Sequence, residues 1–307
     1  MARYRVDVEY EGTRYRGWQI QANARSVAGE LQRALLAAGG EVLEIGGSGR
    51  TDAGVHALRQ TAHVRLREPV DPERFRIAAN DELPSDIHLL SFRGAQERFH
   101  ARHDAVARSY VYQIALRRMA LAKRFVWWVK RPLDVGRMEA ASRDLRGKHD
   151  FRLFCERPAG QASTLVVVDS AELVRAGDLV LVRLVASHFL WKMVRRLAGA
   201  LVRVGAGELE PDDLRRLVDP GEVDDPAPVA TWTAPPSGLF LERVLYPGEP
   251  PLAPLAPLAP GATEGATSDG MFLGGVADST GRAPAPRPSE RSSGRRTGAR
   301  PIRTKPR

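Results

Sequence analysis

The stretch Gly49-Arg50-Thr51-Asp52-Ala53-Gly54-Val55-His56-Ala57 constrains this chain more than any other. It sets a carboxylate beside an arginine, among small residues that let another backbone or a ligand come close, which suits a site better than a core. The apolar-alternating run Thr61 to Leu66 follows. That order predicts Asp52 on an irregular loop leading into a strand, where a rigid scaffold commonly holds functional side chains. Arg50 supplies a cation two residues away, and an ionised, sheltered aspartate can serve as a nucleophile. A lone Arg-x-Asp would read as a solvated turn. Nine residues of this character argue for a site.

Around this loop the chain reads as an alternation of strands and helices. Tyr4, Val6, Val8 and Tyr10 alternate with Arg5, Asp7 and Glu9, the period-two pattern of a strand with one face buried and one exposed. Gly12, Gly17 and Trp18 then form a loop. Ser26 caps a helix with Val27, Leu31, Ala34, Leu35 and Ala38 at helical spacing, stopped by Gly39-Gly40. Asp71-Pro72-Glu73 opens a second helix carrying Phe75, Ile77 and Ala78, which ends near Asn80-Asp81-Glu82-Leu83-Pro84. Ile87 to Phe92 reads as a short strand. Ala107 to Ile114 reads as another, with Tyr110, Tyr112, Ile114 and Leu116 sharing one face.

The second part repeats this order. A helix carrying Val135, Met138, Ala141 and Leu145 precedes strands at 164–174 and 179–185. A further helix runs to Val204, and a last strand spans Ser237 to Tyr246. The expected fold is α+β, with two similar α/β halves at 1–105 and 106–247 and mostly antiparallel sheets.

Beyond residue 247 the character changes. Pro251 to Pro260 is a three-residue proline repeat of the kind that forms an extended spacer. From Arg282 to Arg307 there are nine Lys/Arg and one Glu among Ser, Gly and Pro, so residues 248–307 are expected to be a disordered spacer and basic tail. The net charge of +9 favours a polyanionic partner. One cysteine, Cys155, excludes an internal disulfide framework and a thiolate metal cluster, and suits a reducing compartment, with the cytoplasm as the default. The amino terminus runs straight into a charged strand and no long apolar run occurs, so neither signal peptide nor membrane span is expected.

The nine-residue stretch resembles the signature of the tRNA pseudouridine synthase A family, in which GRTDAGVHA carries the one catalytic aspartate. Further segments are similar to that family in the same order: Tyr10 to Gln19, Asn80, Phe99-His100-Ala101-Arg102, Arg108-x-Tyr110-x-Tyr112, His149-Asp150-Phe151 with Phe154, Phe189 to Arg195, and Ala234 to Leu239. Asp81, Glu82 and Ser163 depart from its pattern. The resemblance implies the pseudouridine synthase fold around a central RNA-binding cleft, and a homodimer that modifies uridines at positions 38, 39 and 40 of the tRNA anticodon stem-loop. It implies Asp52 as nucleophile, Arg50 and Arg195 as its charge partners, and Tyr110 against the base. Thr51, His56, Trp18 and Asn80 are expected to contact the substrate, His100 is a weaker candidate, and Tyr112 is left open. No metal or cofactor is required, because the reaction moves one glycosidic bond from N1 to C5 of uracil.

Two other classes fit parts of this pattern. A non-catalytic RNA-binding protein would need only basic charge and strand aromatics, yet an aspartate in a basic groove weakens phosphate binding unless chemistry needs it. A carboxylate-dependent glycosidase would want a second carboxylate, and among the other similar segments only Asp150 offers one.

Overall fold

The alternating amino-terminal run forms strand β1 (Ala2–Tyr10), which turns Tyr4, Val6, Val8 and Tyr10 into a core. Its neighbours in sequence are β2 (Val42–Gly47), β3 (His56–Leu66) and β4 (Ile87–Gly94), with helices α1 (Val27–Ala37) and α2 (Pro72–Glu82) between them. Both helices start where the sequence places a cap: Ser26 accepts from the Gly29 N–H and Asp71 from the Arg74 N–H. The second part contributes β5 (Ala107–Ala115), β6 (Trp127–Trp128), α3 (Val135–Arg143), β7 (Gly147–Asp150), β8 (Leu165–Ala176) and β9 (Leu179–Ala186). It closes with α4 (Met193–Gly205), α5 (Pro211–Val218), α6 (Ala227–Thr231) and β10 (Leu239–Leu245). This computed structural model describes residues 1–156, 163–219 and 227–258.

All ten strands belong to one sheet, with the main order β4-β1-β3-β10-β5-β9-β8-β7 and β2 and β6 attached to β3 and β5. Pairing is antiparallel except where β10 meets β3 and where β6 meets β5. The fold is therefore α+β with a mostly antiparallel sheet. Strand β10 joins the two parts: Phe240 and Leu241 pair with His56 and Ala57 of β3, while its other edge runs antiparallel to β5. Two apolar cores result from this layout. One gathers β1, β3, α1 and α2 and takes Leu241, Val244 and Tyr246 from the end of the chain; the other gathers β5, β8, β9, α3 and α4.

Three expectations need correction. Asp7, placed by the alternation on the exposed face of β1, is buried, because Thr61 and Ser91 hydroxyls at 2.8 and 3.0 Å and the Arg93 guanidinium at 3.2 Å satisfy its oxygens. Ile77 is half exposed, and Phe75 and Ala79 make the buried side of α2. Residues 251–258 form no helix or strand, but they are not a free spacer: Leu255 packs against a third small core of Ala115, Met119, Ala122, Val126, Leu179 and Leu181. The rest of the expected tail, 259–307, lies outside the described residues.

Candidate active site

The loop before β3 is fixed at both ends, and this places Asp52. On the near side, buried Gln60 accepts from the Ser48 hydroxyl at 2.7 Å and donates to the Gly49 carbonyl at 3.0 Å. Thr51 is buried, with its hydroxyl 2.8 Å from that of Tyr10 and its carbonyl accepting the Trp18 N–H. On the far side the Val55 N–H closes a turn onto the Asp52 carbonyl. Gly54 occupies the left-handed region at φ +79°, which a side chain would strain. Gly12 lies so close that a Cβ there would stand 1.9 Å from the Val55 carbonyl oxygen. The small residues thus let two backbones meet behind the carboxylate.

What faces Asp52 comes from the other end of the sequence. Arg195, in the first turn of α4, sets Nη1 at 3.2 Å from Oδ2, while its Nε donates to the Ala234 carbonyl at 2.7 Å. The Trp191 indole N–H donates to Oδ1 at 3.1 Å. Both carboxylate oxygens are therefore held, yet the Asp52 side chain keeps 24 % of its surface open to solvent. It can still be reached. The positive end of the α4 dipole adds to the attraction for an anion here.

Lys192, between Trp191 and the helix, is the one non-glycine residue with positive φ among the described residues, at 64°. Left-handed backbone at such a residue is strained, and strain of this kind persists where surrounding contacts enforce it. Those contacts are visible: Lys192 pairs with Glu156, and the Glu156 N–H donates to the Trp191 carbonyl at 3.1 Å. The His149–Phe154 segment, one of those similar to the family, leads through Glu156 to that contact, with Phe151 and Phe154 buried behind it.

Hydroxyl accounting separates the two tyrosines of β5. Of the six tyrosines, Tyr4, Tyr10, Tyr15, Tyr112 and Tyr246 each hydrogen-bond through the hydroxyl to a protein group. Only Tyr110 has no such partner among the described residues. Its ring meets Phe189 edge-on at 5.1 Å between centroids, and burial, then the Asp52 charge, push its phenol well above the usual range. Tyr112 is fully buried, with its hydroxyl 2.7 Å from the Pro235 carbonyl oxygen. Tyr110→Phe, which keeps the ring and removes the hydroxyl, is expected to lower turnover about tenfold to 100-fold with little change in substrate affinity. An unchanged turnover would reduce the residue to packing.

Other expected site residues sit elsewhere. Arg50 is exposed and makes no hydrogen bond or ion pair among the described residues, so the cation on Asp52 is Arg195 alone. Trp18 is 3 % exposed and packs beside Tyr10, where Gly47 leaves room for its indole; it is a core residue. His56 is buried, accepts the Gly12 N–H at Nδ1, donates from Nε2 to the Arg124 carbonyl, and stacks on Phe240. Burial lowers its pKa below the ordinary imidazole value, so it serves as a neutral brace. Asn80 spends its amide on both backbone groups of Leu89. His100 accepts two backbone N–H groups at Nδ1 and packs between His63 and His103; burial, then those rings, lower its pKa.

Two contributors lie in segments similar to the family, yet the sequence assigned neither a role. Trp191 stands at a position that periodicity gives no reason to mark. Arg108 does carry a signal, since strand alternation puts it on the face of Tyr110 and Tyr112. Its guanidinium ties together the carbonyls of Ser48, Arg102, Ala105 and Ser187, and so braces the segment before Asp52 against the one leading to Trp191. Among the described residues no group of three His, Cys, Asp or Glu side chains is arranged to hold a metal, and no helix is long and apolar enough to cross a membrane.

The mostly antiparallel α+β sheet brings a loop aspartate against a helix-borne arginine and an unbonded tyrosine, and the match of this chain to a family of pseudouridine synthases makes it an isomerase acting on tRNA uridine. The family described as tRNA pseudouridine synthase matches residues 7–104 and 141–247. The tRNA pseudouridine synthase A of Agrobacterium fabrum is 39 % identical over 252 residues, which is 80 % of this chain and 93 % of that protein. That of Nitrobacter hamburgensis is 41 % identical over 249 residues, 80 % of this chain and all of that protein. The chain belongs to the tRNA pseudouridine synthase A family.

Proposed function

We propose that this enzyme converts uridine to pseudouridine at positions 38, 39 and 40 of the tRNA anticodon stem-loop, with Asp52 as nucleophile. The observation that supports the assignment is that Asp52, in the loop of the nine-residue family motif, has a charge partner on one oxygen, a hydrogen-bond donor on the other and open surface. Attack by its carboxylate on C1′ breaks the bond to N1 and frees uracil with the electron pair on N1. The uracil turns, C5 rejoins C1′ as the carboxylate leaves, and the C5 proton is lost while N1 gains one, so the formula is unchanged.

Arg195 aims the carboxylate at C1′ before the attack and receives it again when C5 displaces it. Tyr110 lies against the base; a phenol held this far above its usual range remains protonated at neutral pH, so it acts as a hydrogen-bond or proton donor. The base must first leave its stack, at a cost of a few kcal/mol, and in this reading Arg50, which is exposed, offsets part of it by meeting a phosphate or filling the gap. In this reading residues 1–105 supply the nucleophile, residues 106–247 supply Arg195, Trp191 and Tyr110, and a cytoplasmic homodimer binds the RNA without a cofactor.

Mapping pseudouridine in tRNA from cells with and without the protein tests the positions. The expected result is loss of the modification at 38, 39 and 40 alone. Loss elsewhere with those three retained would overturn the assignment.

A further inference from the structure

The family match ends at residue 247, and the described segment beyond it packs on the protein. Residues 251–258 read Pro-Leu-Ala-Pro-Leu-Ala-Pro-Leu, and Leu252, Leu255 and Leu258, with Pro257 beside the last, are half-buried while Pro251, Ala253, Pro254 and Ala256 are exposed. An extended proline-type chain turns once every three residues. A leucine at every third position therefore forms one apolar edge, and this edge is the one turned inward.

The surface beneath is shaped for such a chain. Leu255 enters the small core of Met119, Ala122, Val126 and Leu181. On either side of it, two buried side chains of the sheet hold the strap's backbone: Arg183 donates from Nη2 to the Ala253 carbonyl at 2.9 Å, and the Leu258 N–H donates to Gln113 Oε1 at 2.7 Å. Both supports are preset. Arg183 is held by Glu242, and the Gln113 amide nitrogen is spent on the Phe125 carbonyl at 2.9 Å, which leaves its oxygen facing the strap. Gln113 is fully buried and Arg183 4 % exposed, so losing the strap costs each a hydrogen bond that water would have to replace.

We propose that this surface on β5, β9 and the 116–126 connection is a binding site for a leucine-edged polyproline segment, and that its occupant is the chain's own Pro251–Leu258. The docked segment is a strap that covers the sheet and anchors the chain ahead of the basic residues 282–307. This inference is independent of the RNA positions proposed above, because its test reads stability.

Two shortened chains separate the strap from its flanks. The chain ending at Leu258 is expected to melt with the full-length protein. The chain ending at Pro250, which keeps the Glu249 pairs with Arg5 and Arg243, is expected to melt about 5 °C lower. A peptide of residues 251–258 added to the shorter chain should restore the melting temperature saturably, and the same peptide with its three leucines replaced by serine should not. Equal melting of the two shortened chains, or equal rescue by both peptides, would overturn the proposal. Should the Pro250 chain fail to fold, Leu255→Ser in the full chain is the decisive variant: a lower melting temperature supports the strap, and an unchanged one removes it. A doubling of mass that needs residues 251–258 would place the segment on a second copy and overturn the intramolecular assignment.

Discussion

Replacing Asp52 by Asn is expected to lower turnover at least about 1,000-fold while the protein stays folded and tRNA still binds. The amide keeps the shape of the carboxylate, so the turn closed by the Val55 N–H, which uses the Asp52 carbonyl, is untouched. What disappears is the anion. Asparagine can still offer its oxygen to the Trp191 N–H or to Arg195, but it cannot form the covalent bond to the sugar. Binding should be as tight or tighter, since one negative charge fewer opposes the polyanionic tRNA. Single-turnover assays with pseudouridine detection, paired with a tRNA binding curve, make the comparison, and near-normal turnover would remove Asp52 from the chemistry.

Arg195 is expected to give the second-largest effect, a fall in kcat of about 100-fold to 1,000-fold for Arg195→Met. Its guanidinium performs two tasks at once, since Nη1 faces Asp52 while Nε is anchored on the Ala234 carbonyl. Lysine restores the charge but has no second donor fixed in the same plane, so Arg195→Lys is expected to recover less than about tenfold of the loss. Affinity for tRNA should move little in either variant, because the side chain is 14 % exposed and turned to the carboxylate. Full activity in Arg195→Lys would mean that charge alone suffices and that the Ala234 anchor has no part in aiming it.

Much of the fold was legible because local chemistry decides it. The caps at Ser26 and Asp71, the stop at Gly39-Gly40 and the alternation of β1 and β5 all depend on neighbours a few residues away. Asp7 shows where that reasoning ends. Alternation assigns it to solvent, but Ser91 and Arg93 reach it from β4, and a charge can be buried once partners arrive from another strand. The leucine period of 251–258 was visible as well. Nothing in the repeat itself announces the groove that receives it.

The site divides in the same way. By itself the sequence determined Asp52, its loop and the family motifs, because the small residues of Gly49 to Ala57 impose a close backbone approach whatever the surroundings. Only the tertiary structure decided which cation faces that aspartate: Arg50 is two residues away and points to solvent, whereas Arg195 is 143 residues away and in contact. Tertiary packing also gave Tyr112, which the sequence left open, its hydroxyl partner, since two phenols on one strand face differ only in whether a carbonyl such as that of Pro235 comes within reach. It likewise drew Trp18, His56 and Asn80 inward, where an aromatic or polar side chain that could have met RNA instead fills a core or satisfies a backbone. Spacing along the chain sets backbone geometry over a few residues, while the partner of a side chain is set by distances through space that sheet pairing alone establishes.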